Sequence, residues 1–375
     1  MTSYLFLTGT RADFGKLKPL ILAAKELAGI EVRIFATGMH LQTKYGRTLR
    51  EVEQLGIATF PFVNFSERDS TAQIVAKTVS GLDDYLSSFP ADFLVIHGDR
   101  PEALAGAIVG SMNNVRVIHV EGGELSGTVD ESIRHAVTKL SHIHLVSNAE
   151  SKARVIGLGE NPNSVYEIGS PELDVMLSDR LPSLFEVRSR YELDDKPHCI
   201  FILHPVTTQD PNTLRFATRR ILEIIKEQNP DIQILVILPN NDFGSDAILE
   251  EISKKAGSSG FRILPSMRFE HYLTLLKYAE FIVGNSSSGV REAPVFGTPS
   301  INIGSRQNRR ASSPSIFQMS EFELDNLKSL LPKLRGIRFP AATGFGKGEA
   351  APSFAKLIVE NAFANFPVQK QFFDD

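Results

Sequence analysis

The feature that most limits this chain is a repeated pairing. A short run of consecutive apolar residues meets a glycine or polar turn, and an amphipathic stretch follows. In the first half the runs are YLFLTG (4–9), VRIFATG (32–38), FPFVNF (60–65), FLVIHG (93–98), RVIHVEG (116–122) and IHLVS (143–147). Apolar runs without alternation suit strands covered on both faces. The stretches 13–28, 70–88, 101–112 and 130–141 between them have helical spacing, which predicts parallel βαβ units in a doubly wound sheet. The series lapses over 170–198, a charged segment with three prolines. It resumes with CIFILHP (199–205), IQILVILP (232–239), FRILP (261–265), FIVGN (281–285) and SINIG (300–304). The expected fold is therefore α/β, with two Rossmann-like domains facing a central cleft. The first spans 1–170, a connector 171–198 and the second 199–352. A C-terminal helix within 353–375 is expected to pack back on the first.

Length and composition agree. A chain of 375 residues can bury two cores, and 42% hydrophobic with 22% charged residues is ordinary for a globular protein. A net charge of −4 gives no ground for binding nucleic acid or an anionic membrane. The single cysteine, Cys199, excludes an internal disulfide and calls for no oxidising compartment. At the N-terminus the apolar run precedes Arg11 and Lys16, the reverse of a secretory signal. No window approaches the roughly 18 apolar residues of a membrane span. A soluble, cytoplasmic protein acting on a small molecule is expected.

In open parallel sheets ligands bind where strands give way to loops, and the chemistry-bearing residues lie there. FLVIHGDRPEA ends in His97, Asp99 and Arg100; RVIHVEGGE ends in His119 and Glu121; Asp130 opens the next helical stretch. Strand alternation predicts that His97 and Asp99 share one side, as do His119 and Glu121, so that neighbouring strands bring the pairs together. A capping box of Thr128 and Glu131 would explain the acids at 130–131. It would not explain Asp99 and Glu121, whose burial without a partner would be costly. Gly9-Thr10-Arg11 opens the first helix, with Lys16 one turn on, and both cations are placed to face an anion. In the second half, FIVGNSSSGVREAP predicts strand, turn and helix. The N–H groups and hydroxyls of Ser286, Ser287 and Ser288 suit phosphate, and Glu292 suits ribose hydroxyls. His204 and Asn240 each follow a strand. His142 and His144 share a face, but no acid or cysteine completes a metal site with them. No metal and no cofactor are expected. Neither GxGxxG nor a GxxxxGK[ST] loop occurs, which argues against dinucleotide and P-loop chemistry.

These motifs together resemble the UDP-N-acetylglucosamine 2-epimerase family, in its hydrolysing branch. The resemblance runs from about residue 4 to about 310. It is carried by TGTRADFGKLKPL, VIHGDRPEAL, HVEGGELSGTVDESIRHAVTKLSHIH, LHPVTT and GNSSSGVREAPVFGTPSINIGSRQNRR. It implies a GT-B architecture with Asp99, Glu121 and Asp130 as catalytic carboxylates. Around UDP it places Arg11, Arg100, His204, Asn240, Ser286, Ser287, Glu292 and Arg306. Lys16, His40, His97, His119, Arg134 and Ser288 complete the candidate contacts to nucleotide or sugar. The implied reaction converts UDP-N-acetylglucosamine to N-acetylmannosamine and UDP, the entry to sialic acid biosynthesis, in a homodimer or homotetramer. A 2,4-diacetamido-trideoxyhexose substrate of the legionaminic type is an alternative, as is a GT-B glycosyltransferase. A UDP-sugar sensor would have no use for three acids. An NAD-dependent epimerase lacks both its glycine fingerprint and a Tyr-x-x-x-Lys base.

Overall fold

The structure is a computed structural model, and it describes the chain except residues 44–45, 67–68, 127–128, 207–208, 240–243, 266 and 374–375. The chain divides into two compact α/β units. One comprises Met1–Glu124, Val129–Arg180 and Gly344–Asp375; the other comprises Leu125–Thr128 and Leu181–Thr343.

The first unit is built on seven parallel strands: β1 (Thr2–Thr8), β2 (Ile30–Ala36), β3 (Ala58–Pro61), β4 (Phe93–His97), β5 (Arg116–Val120), β6 (Ile143–Val146) and β7 (Val165–Glu167). Their order is β3-β2-β1-β4-β5-β6-β7, so the winding reverses between β1 and β4. That reversal opens a crevice at the strand carboxyl ends. The consecutive apolar residues fill both faces. Phe6, Val95 and Ile118 pack with Phe14, Leu17 and Ile21 of the helix Arg11–Lys25 and with Phe354 and Phe363 near the C-terminus. Leu5, Leu94 and Val117 pack on the other face with Leu82, Leu86, Ala103 and Ala107. The C-terminal helix is Ala350–Val359.

Two details of this unit depart from the sequence expectation. The third strand is Ala58–Pro61, not 60–65. Proline has no N–H for a ladder, and beyond it the chain leaves the sheet, with Asn64 buried and accepting from the Gly38 N–H. Strand β7 (VYE) lies in a segment where no strand was expected, because two consecutive apolar residues do not make a readable run. The segment 171–198 carries two helices, Pro171–Met176 in the first unit and Leu184–Tyr191 in the second.

The second unit has six parallel strands: β8 (His198–Ile202), β9 (Gln233–Ile237), β10 (Phe261–Leu264), β11 (Ile282–Gly284), β12 (Ser300–Ile303) and β13 (Ile316–Met319). The order is β10-β9-β8-β11-β12-β13, again with one reversal, between β8 and β11. Phe201, Val236, Phe281 and Ile301 form its core with Ile221, Ile225 and Leu331. Strand β13 was not expected. Among the described residues no helix is long and apolar enough to cross a membrane.

Candidate active site

At the end of β1, Thr10 and Asp13 form a capping box for the helix Arg11–Lys25. Asp13 also accepts from the Thr8 hydroxyl at 2.7 Å and the Gly9 N–H at 3.0 Å. The Thr8 oxygen in turn accepts from His40 Nε2 at 3.0 Å, and His40 Nδ1 takes the Thr48 hydroxyl at 2.6 Å. His40 is fully buried and neutral; burial pushes its pKa down to about 4 against the pull of Asp13. The structure thus places His40 inside the turn, as a bracket between strand ends. Arg11 reaches Glu51 with two nitrogens, at 3.0 and 2.6 Å, and Arg100 Nε lies 3.7 Å from the buried Glu102.

The ends of β4 and β5 are where alternation fails. His97 pairs with Val120 and Ile96 with His119, so His97 and His119 point to opposite faces. His119 is buried: Nε2 donates to the Gly98 carbonyl at 2.9 Å and Nδ1 accepts from Thr138 at 3.2 Å. Desolvation lowers its pKa to about 3. Glu121 would follow His119 if the strand continued, but its φ is +63°. This left-handed turn costs a non-glycine residue about 1–3 kcal/mol and is found where surroundings enforce it. It swings the carboxylate to His97, whose Nε2 donates to Oε2 at 2.9 Å. The Ser170 hydroxyl donates to Oε1, and Lys16 Nζ stands 3.9 Å from Oε2. Gly122 follows because a side chain there would press on the His119 ring. The Gly-Gly turn therefore exists to let a histidine fold under a strand end while the acid turns away from it.

Lys16, expected to face an anion, is buried between Glu121 and Glu172, and forms a close ion pair with Glu172. Ser170 and Glu172 escaped the sequence reading because they follow the unrecognised β7. Asp130 lies on the helix Val129–Leu140, as does Arg134. Arg134, 1% exposed, forms a close ion pair with Asp99 and donates to the Glu124 carbonyl at 2.9 Å. Burial works against its charge, but the carboxylates of Asp99, Glu124 and Asp130 outweigh it and raise its pKa. Asp99 and Asp130 are thus tied electrostatically to one guanidinium. The candidate cap Thr128 lies outside the described residues. His142 and His144 are both engaged, with Val117 and Val368 and with Glu160 respectively.

In the second unit the candidates gather round a residue the sequence reading passed over. The Asn285 side chain accepts from the His204 N–H at 2.7 Å and donates to its carbonyl at 2.8 Å. The Asn285 carbonyl accepts from Gln307 at 3.0 Å and from Arg306 at 3.4 Å. The preceding Gly284 cannot carry a side chain, which would run into the Ile202 carbonyl. The Ser286 hydroxyl accepts from the Ser288 N–H, and the Ser288 hydroxyl meets the buried Tyr272 hydroxyl. The expected helix after the serines is only a 3-10 turn, Ser287–Gly289, and a short helix, Glu292–Val295. Glu292 opens that helix and is buried. Asn240 lies outside the described residues.

A model of the UDP-N-acetylglucosamine 2-epimerase family matches residues 22–359. The chain belongs to that family. It is 42% identical, over all of its length and 99% of the relative's, to a UDP-N-acetylglucosamine 2-epimerase of Neisseria meningitidis. It is 34% identical to polysialic acid biosynthesis protein P7 of Escherichia coli, covering 85% of this chain and 83% of the relative. With a UDP-N,N'-diacetylbacillosamine 2-epimerase (hydrolyzing) of Legionella pneumophila it shares 32% identity over 92% of each chain. The crystal structure of the Methanocaldococcus jannaschii UDP-GlcNAc 2-epimerase, in complex with UDP-GlcNAc and UDP, superposes with a TM-score of 0.81. That match has 20% identity and covers 96% of this chain and all of that one. The epimerase fold is thus shared: two parallel α/β units of the GT-B kind.

Proposed function

We propose that this epimerase-family chain is a hydrolysing UDP-N-acetylglucosamine 2-epimerase. It would release UDP and N-acetylmannosamine for sialic acid biosynthesis. One observation carries the reading. Glu121 is forced by a left-handed backbone out of the His119 face and onto His97. A strained, buried carboxylate at a strand end is costly for a structural turn and useful for proton transfer.

The reaction removes an unactivated proton from C2 of the sugar. As the C1–oxygen bond to UDP lengthens, positive character at C1 acidifies that proton. A carboxylate among Asp99, Glu121 and Asp130 takes it, the C–H electrons form the C1–C2 double bond, and UDP leaves with the C1–O pair. The product is a 2-acetamidoglucal. Water then adds its oxygen to C1, and a carboxyl group delivers a proton to the opposite face of C2. The departing diphosphate needs only charge stabilisation, a role suited to Arg11, Arg100 and the second-unit groups about His204, Ser286 and Arg306, with Glu292 for the ribose. The hydrolysing assignment draws support from the relatives named for polysialic acid biosynthesis and for a hydrolysing epimerase. The second of these also favours an alternative substrate, a UDP-2,4-diacetamido-trideoxyhexose.

The test is turnover of each UDP-sugar in deuterated water without an acceptor, followed by NMR. Deuterium at C2 of a free mannosamine-type sugar is expected. A product still linked to UDP would move the chain to the non-hydrolysing branch. A requirement for an acceptor would make it a glycosyltransferase.

A further inference from the structure

The helix Val129–Leu140 carries Asp130 in its first turn and Arg134, the partner of Asp99, one turn on. The far end of this helix is closed by a side chain from the far end of the protein. A helix leaves its last four carbonyls without intrahelical donors. Here Lys370 Nζ donates to the carbonyls of Thr138 at 3.1 Å, Lys139 at 2.8 Å and Ser141 at 2.7 Å, and it pairs with the buried Glu160. A cation at this position also complements the negative end of the helix dipole.

The segment that delivers Lys370 is fastened along its length. Arg116 Nε donates to the Phe366 carbonyl at 2.7 Å and His142 Nε2 to the Val368 carbonyl at 3.0 Å. The Phe373 N–H reaches the Gly159 carbonyl at 3.0 Å, and the Lys139 ammonium lies 4.9 Å from the Phe372 ring centre. A cavity of about 300 Å³ is lined by Ser111, Leu140, His142 and Val368, among others. The strap is therefore tied down by polar bonds along its length and by the Lys139–Phe372 contact, with Phe366 packed against the core at its start. His144, Lys139 and Lys370 all converge on Glu160 and hold its pKa down to about 2 despite burial, so that it is a fixed anion under the strap.

We infer that Lys370 is a positioning residue: it clamps the C-terminal end of the Val129–Leu140 helix and so sets where Arg134 and Asp130 stand relative to Asp99. The inference rests on the proposed catalytic role of that acid cluster.

The test uses full-length K370M and K370R. In K370M, kcat for UDP release is expected to fall about tenfold, as small misplacements of reacting groups do. UDP affinity should be unchanged, because none of the groups proposed above to hold UDP lies on this helix. K370R keeps a cation at the helix end and should restore most of the turnover. Combined with R134K, K370M should add little further loss. Hydrogen exchange of amides 135–141 should quicken in K370M, a readout independent of any assay. Unchanged exchange overturns the clamp, whatever the substrate proves to be. Quickened exchange with normal kcat overturns the positioning role. A loss of UDP affinity equal to the loss of kcat would show general unfolding and overturn it too. Should the wild-type protein fail to turn over UDP-N-acetylglucosamine while exchange in K370M still quickens, it is the functional reading that falls and the clamp that stands.

Discussion

His97 Nε2 donates to Glu121 Oε2 at 2.9 Å although the β4–β5 register sets His97 opposite Val120. The contact exists only because Glu121 adopts a φ of +63°. Glu121→Gln keeps the shape and hydrogen-bonding length but removes the base. Turnover should fall roughly 10²–10⁴-fold, the usual worth of a positioned acid or base. UDP affinity, measured by calorimetry, should stay within about threefold of wild type on the same argument. Retained turnover would remove Glu121 from the chemistry.

Lys16 offers a sharper choice. Its ammonium is committed to Glu121 and Glu172. Lys16→Met should therefore depress kcat and lower the unfolding temperature, since it strands two buried carboxylates without their cation. It should leave the dissociation constant for UDP unchanged. Loss of UDP binding with intact kcat would restore Lys16 to the role of a phosphate contact.

The Asp99–Arg134 pair is asymmetric. Arg134 is buried, whereas the Asp99 side chain is 22% exposed. Removing Asp99 leaves a buried guanidinium short of counter-charge; removing Arg134 leaves a carboxylate that water can reach. Asp99→Ala should cost about 3 kcal/mol in chemical denaturation, and Arg134→Met clearly less. Equal losses would mean that burial does not govern the pair.

Three histidines make folding sensitive to acid. Burial lowers the pKa of His119 to about 3 and those of His40 and His198 to about 4, all below the ordinary value of 6.5. Each stays neutral in the folded chain and takes up a proton on unfolding once the pH is under 6.5. Their stabilising effect is whole above that pH and is lost as pH falls toward 4 and then 3, by about 1.4 kcal/mol per unit for each. Thermal midpoints measured at pH 7, 6 and 5 should drop progressively, with the steeper fall between 6 and 5. A flat profile would contradict the burial of these rings.

Asn285 joins the ends of β8 and β11 through both backbone groups of His204. Asn285→Ala should weaken UDP binding about tenfold or more, because buried backbone groups lose their partners and the loop that holds His204 and Arg306 loosens. Calorimetry with UDP alone reads this out. Unaltered affinity would separate this loop from the nucleotide.

Much of this protein was open to reading from its residues. Consecutive apolar runs could only be buried parallel strands, and eleven of these were placed, one of them off by a few residues. Histidines and acids directly after such runs had to lie at the strand ends. What stayed hidden was short or distant. Strands β7 (VYE) and β13 (IFQM) have only two consecutive apolar residues each, too short a run to stand out, and with β7 went Ser170 and Glu172.

The sequence by itself determined the element order, the two parallel sheets and the residues gathered at their carboxyl edges. These follow from local periodicity, which nearby residues alone create. Only the tertiary structure decided on which face Glu121 lies, that Lys16 serves carboxylates, and that Lys370 closes a helix more than two hundred positions earlier in the chain. A single left-handed φ reverses the alternation that sequence reading assumes. Partners brought together by folding leave no mark in the spacing of either segment.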